Sequence, residues 1–434
     1  MENKILGKAK EFYFMVVAVM MYYFLYEYID IGLHISYRHV FSLVLAFSAI
    51  LLFLYKPDIA RGFAAFKDAC VYSIPLAFTT LMSLLIWFVG MVDVRIIMRG
   101  LSGSFIIKNM FSSALGAAAL LYVFGKRGIW YNLIAVLIAN ILMIITIIAE
   151  HGLADYLAEL ETLLTTFATE TGPIVGQAEI HELSFCLAAY LLYMFYKPKK
   201  SIVYFILLFL SLFCFLSAFK RIAVFAIGIS LAFGYLLKFI ARRNEKTAGR
   251  LVVIFTLIVI VLLIAYIAII DMGVFDYLEK AGIDTKGRAY IYNSVDDFYD
   301  FSPAFLGNGI EFLTYQLSTS MEIGVASVHN DFLQHFIELG FWGYILWLFS
   351  ITLVRVLYFG RKGNVENAIV AFILTLYLLI VSATDNTMRY PLVTVVVAIL
   401  MMGNGFEESV RSSEHKLFDY VSRSDTEEGY DSLL

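Results

Sequence analysis

The chain alternates long apolar runs with short polar links. A bilayer-crossing helix needs about 20 mostly apolar residues. That rule predicts spans near 12–29, 40–55, 71–92, 107–125, 129–149, 178–196, 201–218, 222–240, 251–270, 333–357, 367–384 and 388–404. About twelve helices, an even number, put both termini on one side. Two links stand out. Residues 150–177 are acidic (Glu150, Asp155, Glu159, Glu161, Glu170) and contain an amphipathic stretch from Tyr156 to Phe167. Residues 271–332 form one large hydrophilic loop, too long and polar for a simple connector and expected to carry short helices. From Glu407 to Leu434 the chain is charged and Ser-rich, as a mobile tail would be. Three regions follow: N-terminal helices with the acidic loop over 1–177, a helical region with the large loop over 178–405, and a tail over 406–434.

Composition fixes the class. The chain has 434 residues, 61% hydrophobic and 16% charged, with a mean hydropathy of +0.81. Soluble domains are roughly half apolar and about a quarter charged, so this is an all-α polytopic membrane protein. The net charge of -4 gives no reason to expect a nucleic-acid partner. Cys70, Cys186 and Cys214 lie in or near apolar segments without metal-ligand spacing. The first apolar run has no obvious small-residue cleavage site and reads as a retained helix.

Lys and Arg accumulate on the cytoplasmic side of membrane proteins. With the N-terminus inside, ten of the 32 basic residues fall outside: Arg38, Arg95, Arg99, Lys108, Lys220, Arg221, Lys280, Lys286, Arg288 and Arg389. The rest fall inside. Both termini are therefore expected in the cytoplasm, and the large loop outside.

Those outside cations oppose the usual bias and are candidates for chemistry. Lys220-Arg221 sits in a tight link, Ser217-Ala218-Phe219-Lys220-Arg221, which holds a guanidinium at the outer boundary. A fixed bidentate donor there suits phosphate oxygens; snorkelling at a helix end is the alternative. Arg288 lies in Lys286-Gly287-Arg288-Ala289-Tyr290-Ile291-Tyr292, where a solvated loop arginine is the plainer reading. Gly307-Asn308-Gly309 predicts a tight turn where backbone approaches a ligand.

The large loop ends on His329-Asn330-Asp331-Phe332-Leu333-Gln334-His335-Phe336-Ile337-Glu338-Leu339-Gly340-Phe341-Trp342-Gly343. His329 can act as a base or donor near neutral pH, or simply satisfy backbone groups at a helix start. Asn330, Gln334 and Glu338 recur every fourth residue and make one polar stripe on a helix. Such groups in a membrane segment usually face a bundle interior or a wet cavity. His335 lies six residues after His329, a spacing that puts the two rings on different faces.

Metal chemistry has weaker support. Asp296-Asp297-Phe298-Tyr299-Asp300 has the spacing that can hold magnesium on a diphosphate, but no second acidic cluster accompanies it. Glu27 and Asp30 are poorly spaced for a first-loop acidic pair. Neither a Walker-type loop nor a Gly-x-Ser-x-Gly elbow occurs. No metal and no cofactor are expected.

Taken in order, Arg221 in a short external link, Gly287-Arg288 and Gly307-Asn308-Gly309 in a large external loop, and His329-Asn330 leading into Gln334, Glu338, Gly340 and Gly343 resemble the O-antigen ligase and O-antigen polymerase superfamily of bacterial membrane glycosyltransferases. The resemblance covers about residues 200–405. The chain departs from the usual pattern at Phe219-Lys220, where a small or hydroxyl residue is common, and at Tyr292, where Trp is frequent. The resemblance implies a metal-independent, inverting glycosyltransferase of the bacterial inner membrane, with an extracytoplasmic site and an undecaprenyl-diphosphate-linked glycan as donor. It implies that Arg221 and Arg288 grip the diphosphate and that His329 orients or deprotonates the acceptor hydroxyl. Lys220, Tyr292, Asn330, Gln334, Glu338 and Arg389 are the expected substrate-binding supports. Besides membrane lipids and a glycan or lipid acceptor, chain-length regulators and flippases are candidate partners.

Three readings stay open. A polymerase extends a lipid-linked repeat in capsule, exopolysaccharide or O-antigen assembly, and it is the reading preferred here. A ligase passes the glycan to lipid A core, protein or wall polymer. A flippase or other transporter would show paired halves with interrupted helices, and these halves are unalike.

Overall fold

The computed structural model describes residues 40–55, 57–90, 94–102, 111–166, 181–217, 220–283, 287–319 and 328–415, with isolated positions at 7, 8, 10–12, 15, 174 and 285. The described chain is helical, without strands. The helices are α1 (Val40–Tyr55), α2 (Ile59–Tyr72), α3 (Ile74–Gly90), α4 (Val94–Ser102), α5 (Gly116–Phe124, after a π turn from Phe111), α6 (Gly128–His151) and α7 (Leu153–Thr166). There follow α8 (His181–Tyr196), α9 (Ile202–Ser217), α10 (Arg221–Ala241), α11 (Glu245–Asp271), α12 (Val274–Lys280), α13 (Arg288–Ser294) and α14 (Phe312–Thr319). The last group is α15 (Asp331–Phe349), α16 (Arg355–Gly360), α17 (Val365–Ser382), α18 (Pro391–Asn404) and α19 (Phe406–His415).

Local chemistry sets several of these starts. Asp58, Asn244, Asn330 and Asn364 each accept a hydrogen bond from a backbone N–H in the first turn of α2, α11, α15 and α17, satisfying donors that have no intrahelical partner. Residues 156–166 of the expected amphipathic stretch fall within α7, which lays Tyr156 and Leu163 on Ile144 and Ile147 of α6; residue 167 lies outside the described residues. The large loop carries α12, α13 and α14, and α19 occupies the first part of the tail segment. The span expected over 12–29 lies almost wholly outside the described residues.

The core is a helix flanked by helices. Residues 183–192 of α8 are 0–1% exposed, surrounded by α9, α10 and α18. Helix α17 packs on α10, α11 and α16 and is almost wholly buried. Phe205 and Phe209 on α9 and Val261 and Leu262 on α11 point away from the bundle, as lipid-facing side chains do. The two ends differ chemically. Lys197, Lys362, Asp68, Asn367 and Asn404 gather at one end, with Lys362 paired to Asp68 and Lys197 Nζ donating to Asn404 Oδ1 at 2.8 Å. Lys220, Arg221 and Arg288 gather elsewhere, beside the α17–α18 link.

Five described stretches are long and apolar enough to cross a bilayer, or up to seven if each bent pair counts as one span. The pairs are α2 with α3, bent by 48°, and α18 with α19, bent by 56°. That is fewer than the twelve expected. Two of the five stretches are not straight rods. Within Ser113–His151, Gly125 has φ 57° and ψ -146°, outside helical geometry. A Cβ on Gly128 would lie 3.1 Å from Leu120 Cγ, although eight residues of straight helix rise about 12 Å. The chain turns there, near the break expected between 107–125 and 129–149.

The second departure shapes the site. The continuous span expected over 333–357 folds back at Gly340, whose φ of 72° and ψ of 179° fit only glycine without strain. The His335 and Trp347 rings stack at 4.1 Å, and Phe336 lies 5.6 Å from Tyr344. Twelve residues of straight helix would separate the first pair by about 18 Å. Residues 331–339 are therefore a short arm laid back against 341–349.

The fold-back frees backbone groups, and the large loop supplies their partners. Asn308 N donates to Ile337 O at 3.1 Å, Gly309 N to Glu338 O at 2.8 Å, and Phe341 N to Phe305 O at 2.9 Å. Gly307-Asn308-Gly309 is thus a close-approach turn, as its composition predicts, but it approaches the broken helix. A Cβ on Gly307 would sit 2.4 Å from Gly340 N, and one on Gly340 would sit 2.2 Å from the Leu306 carbonyl carbon. Gly340→Ala is expected to destabilise the fold by about 2–3 kcal/mol through strain and overpacking, read as a lower thermal midpoint of purified protein. Gly343→Ala, with ordinary φ, is the milder control.

Candidate functional site

The site is organised by the start of α15. His329 holds φ 49°, uncommon for a non-glycine residue, and places its half-exposed imidazole beside the α17–α18 link. Asn330 follows as the cap: its Oδ1 accepts Phe332 N and Leu333 N, each at 3.1 Å. Its Nδ2 donates to the hydroxyls of Tyr266 and Tyr292, each at 3.0 Å. The side chain is saturated and fully buried. Burial raises the Tyr292 phenol above its usual range, with the Asn330 hydrogen bond opposing, so the hydroxyl stays neutral.

That bond links two elements of the candidate site. Helix α13 begins with Arg288 and carries Tyr292 one turn later. Tying Tyr292 to Asn330 therefore fixes Arg288 relative to His329. Asn330→Ala should cost about 0.5–2 kcal/mol for the lost cap alone, and more because two buried hydroxyls lose a donor. Tyr292→Phe, which leaves the cap intact, should cost less; thermal midpoints of the two variants test the order.

Arg288 donates through Nη2 to Thr384 O at 2.9 Å, while its Nε is buried without a hydrogen-bond partner. Arg221 is exposed at the first position of α10, with Lys220 as the residue before it. Lys220, Arg221, Arg288, Thr384 and Asp385, with Ile222 and Phe225, line one open cleft of about 440 Å³. Three cations face one carboxylate there, so the cleft favours a multiply charged anion. Its apolar wall, with Phe225 60% exposed, continues onto the outer surface of α10.

Asp385 joins the cleft to His329. Its Oδ1 lies 3.9 Å from His329 Nδ1 and accepts from Asn386 N at 2.7 Å and from the Tyr390 hydroxyl at 3.1 Å. The link is itself pinned to α15, because Asp331 Oδ2 accepts from Met388 N at 2.8 Å. Arg221, Arg288 and His329 thus converge although they come from three separate parts of the sequence. Residues 286, 218 and 219 lie outside the described residues.

The other expected binding residues sit elsewhere. Gln334 Nε2 donates to Glu338 Oε1 at 2.9 Å, and Glu338 Oε1 also accepts from Glu311 N at 3.1 Å. Both side chains are buried, so the polar stripe on this arm faces protein and anchors the loop. Arg389 Nη2 lies 3.9 Å from both Glu311 and Glu338 carboxylates and donates to Thr314 Oγ1 at 2.8 Å. It ties α14 to the α17–α18 link and does not line the cleft. His335 stacks on Trp347, its Nδ1 2.7 Å from Asp331 O. Among the described residues no group of three or more His, Cys, Asp or Glu has metal-ligand geometry.

Sequence reasoning missed Asp385. The signal available was the polar run Thr384-Asp385-Asn386-Thr387 between two apolar helices, of which only the following Arg389 drew notice.

Residues 183–348 match the family model described as O-antigen ligase. The match runs from α8 into α15 and includes Arg221, Arg288 and His329; Asp385 lies beyond it. It supports the O-antigen ligase and polymerase superfamily named from the order of motifs. No curated protein matches the chain.

Proposed function

We propose that this protein is a bacterial membrane glycan polymerase, transferring a glycan from an undecaprenyl-diphosphate donor to a lipid-linked repeat unit. The observation that carries this reading is the single cleft holding Arg221, Arg288 and Asp385, with His329 against Asp385. The donor diphosphate occupies the cleft, its phosphate oxygens on Arg221, Arg288 and Lys220, and its lipid chain leaves over the apolar wall at Phe225. The acceptor hydroxyl attacks the anomeric carbon as the carbon–oxygen bond to the diphosphate breaks. The bonding pair goes to the leaving phosphate oxygen, where the two guanidiniums neutralise it. His329 takes the hydroxyl proton, and Asp385 stabilises the imidazolium that forms. In-line attack inverts the anomeric centre.

The cations do here what a divalent ion does for many diphosphate leaving groups. Purified protein given a polyprenyl-diphosphate glycan should transfer the glycan with undiminished rate in excess chelator. Activity that vanishes in chelator and returns with magnesium contradicts this reading.

The ligase reading draws on the family description, and it shares the donor, the cleft and the leaving group. Surface glycan from a deletion strain separates the two. Loss of a polymerase leaves single repeats; loss of a ligase leaves long unattached chains.

The site belongs on the extracytoplasmic face in a twelve-span topology with both termini in the cytoplasm. Basic residues at Lys197 and Lys362 mark the cytoplasmic end. Topology reporters after residues 220 and 328 should both report the outside.

A further inference from the structure

A second cationic surface lies far from the cleft. Helix α10 carries Arg221 at its first position and Lys238 in its last turn, and the helical rise between them is about 25 Å. Near Lys238 the α8–α9 link holds Lys197, Lys199 and Lys200, and the turn before α6 holds Lys126. Two of these lysines are engaged by the protein. Lys197 lies 3.9 Å from Glu366 and donates to Asn404, while Lys238 donates to Tyr196 O at 3.4 Å and covers the Tyr196 ring. Lys126 and Lys199 differ: among the described residues neither ammonium pairs with a carboxylate. Glu407 reaches only the backbone N–H of Lys126, and neighbouring Arg127 is paired with Glu11.

Lys199 is held in place by an aromatic ring. Its Nζ lies 4.3 Å over Trp130 of α6, and Trp130 packs edge-on against Tyr204 of α9 at 6.2 Å. A cation over a ring face is oriented yet keeps its donors for another partner. Burial and the nearby Lys126 charge both push the Lys199 ammonium below its usual range, so these two cations repel one another. Apolar surface begins where the charges end. Ile202, Phe205, Ile206 and Phe209 of α9 are all more than half exposed, and Trp130 is the kind of ring that sits at a membrane–water boundary. A soluble anion could use only the lysines. An anion joined to acyl chains uses the lysines and the α9 face together.

We propose that Lys126, Lys199 and Trp130 form a headgroup site for one anionic phospholipid, with its phosphate at the two ammoniums and its acyl chains along α9. In the topology proposed above this is the cytoplasmic leaflet, where anionic lipids attract basic side chains next to a span. The bound lipid staples the turn before α6 to the link before α9, two segments separated in the chain. The site does not depend on the reaction at the cleft.

The test uses full-length protein in detergent, titrated with phosphatidylglycerol, with phosphatidylcholine of the same chains, or with soluble glycerol phosphate. Phosphatidylglycerol should raise the thermal midpoint by several degrees and remain bound in native mass spectra, whereas the other two should do neither. Lys126→Gln/Lys199→Gln should weaken phosphatidylglycerol binding roughly thirtyfold, the loss expected for two basic groups at an anionic surface. Both lysines are exposed, so this variant should keep the wild-type midpoint in lipid-free detergent. Trp130→Leu should weaken binding less. Lys246→Gln/Arg250→Gln, exposed cations on the first turns of α11, should bind as wild type does and serves as the control for general basic charge. Equal responses to phosphatidylglycerol and phosphatidylcholine, glycerol phosphate matching the lipid, or equal losses in the lysine pair and the control pair each overturn the proposal.

Discussion

Arg288→Ala is expected to lower glycan transfer by about 10²–10³-fold, the range seen when one fixed donor to developing negative charge is removed. Two observations make Arg288 the more sensitive of the two arginines. Its guanidinium is pinned by Thr384 O, and its buried Nε has no protein partner, so a donor is already oriented and desolvated before substrate arrives. Little reorganisation is then needed as the diphosphate leaves. Arg288→Lys should recover only a small part of the loss, since an ammonium supplies one point charge where a planar fork spans two oxygens. Arg221 is exposed and better screened, so Arg221→Ala should cost less, and its defect relative to wild type should shrink as salt rises. Initial rates of transfer with saturating donor decide the order. An Arg288→Ala enzyme within a few-fold of wild type contradicts the leaving-group assignment.

His329→Ala is expected to lower turnover by about 10²–10⁴-fold, the usual contribution of a positioned general base, with donor binding nearly unchanged. The imidazole is not among the residues lining the cationic cleft, so its loss should appear in kcat and leave the affinity for lipid diphosphate intact. Asp385→Asn should show the same pattern more weakly. The hydrogen bonds from Asn386 N and the Tyr390 hydroxyl hold the side chain in place, while the charge facing an imidazolium is removed. A transporter lacking any chemical step would keep moving lipid-linked glycan after His329→Ala. A variant that retains half of wild-type transfer rules out proton abstraction at this position.

Residue order points to several of the residues that the structure brings together at the candidate site, and says less of how they are oriented. Arg221 and Arg288 stood out because cations expected on the outer side oppose the usual bias, and the cleft brings them together. His329-Asn330 at the loop's end marked a helix start, and Asn330 is indeed the cap of α15. Periodicity showed that Asn330, Gln334 and Glu338 share a face, but periodicity cannot say which way that face points. The neighbours decide it: Tyr266, Tyr292 and Glu311 take up the stripe, so those residues fix the frame around the cleft. Gly340 misled for a different reason. A glycine in an apolar run is common in membrane helices, and nothing local shows that its φ will be positive. Only the docking of Leu306 and Gly307 against it, a contact between distant segments, makes the fold-back visible. Asp385 escaped for the same reason, since its meaning comes from His329 across 56 residues of chain.

The account depends on a cationic cleft that holds the diphosphate and an imidazole that acts on the acceptor. Binding of polyprenyl diphosphate to purified wild type, Arg221→Ala/Arg288→Ala and His329→Ala, measured beside single-turnover transfer, tests that division directly. The double arginine variant should lose both binding and transfer, whereas His329→Ala should bind as wild type does and fail to transfer. Wild-type affinity in the double arginine variant would contradict it.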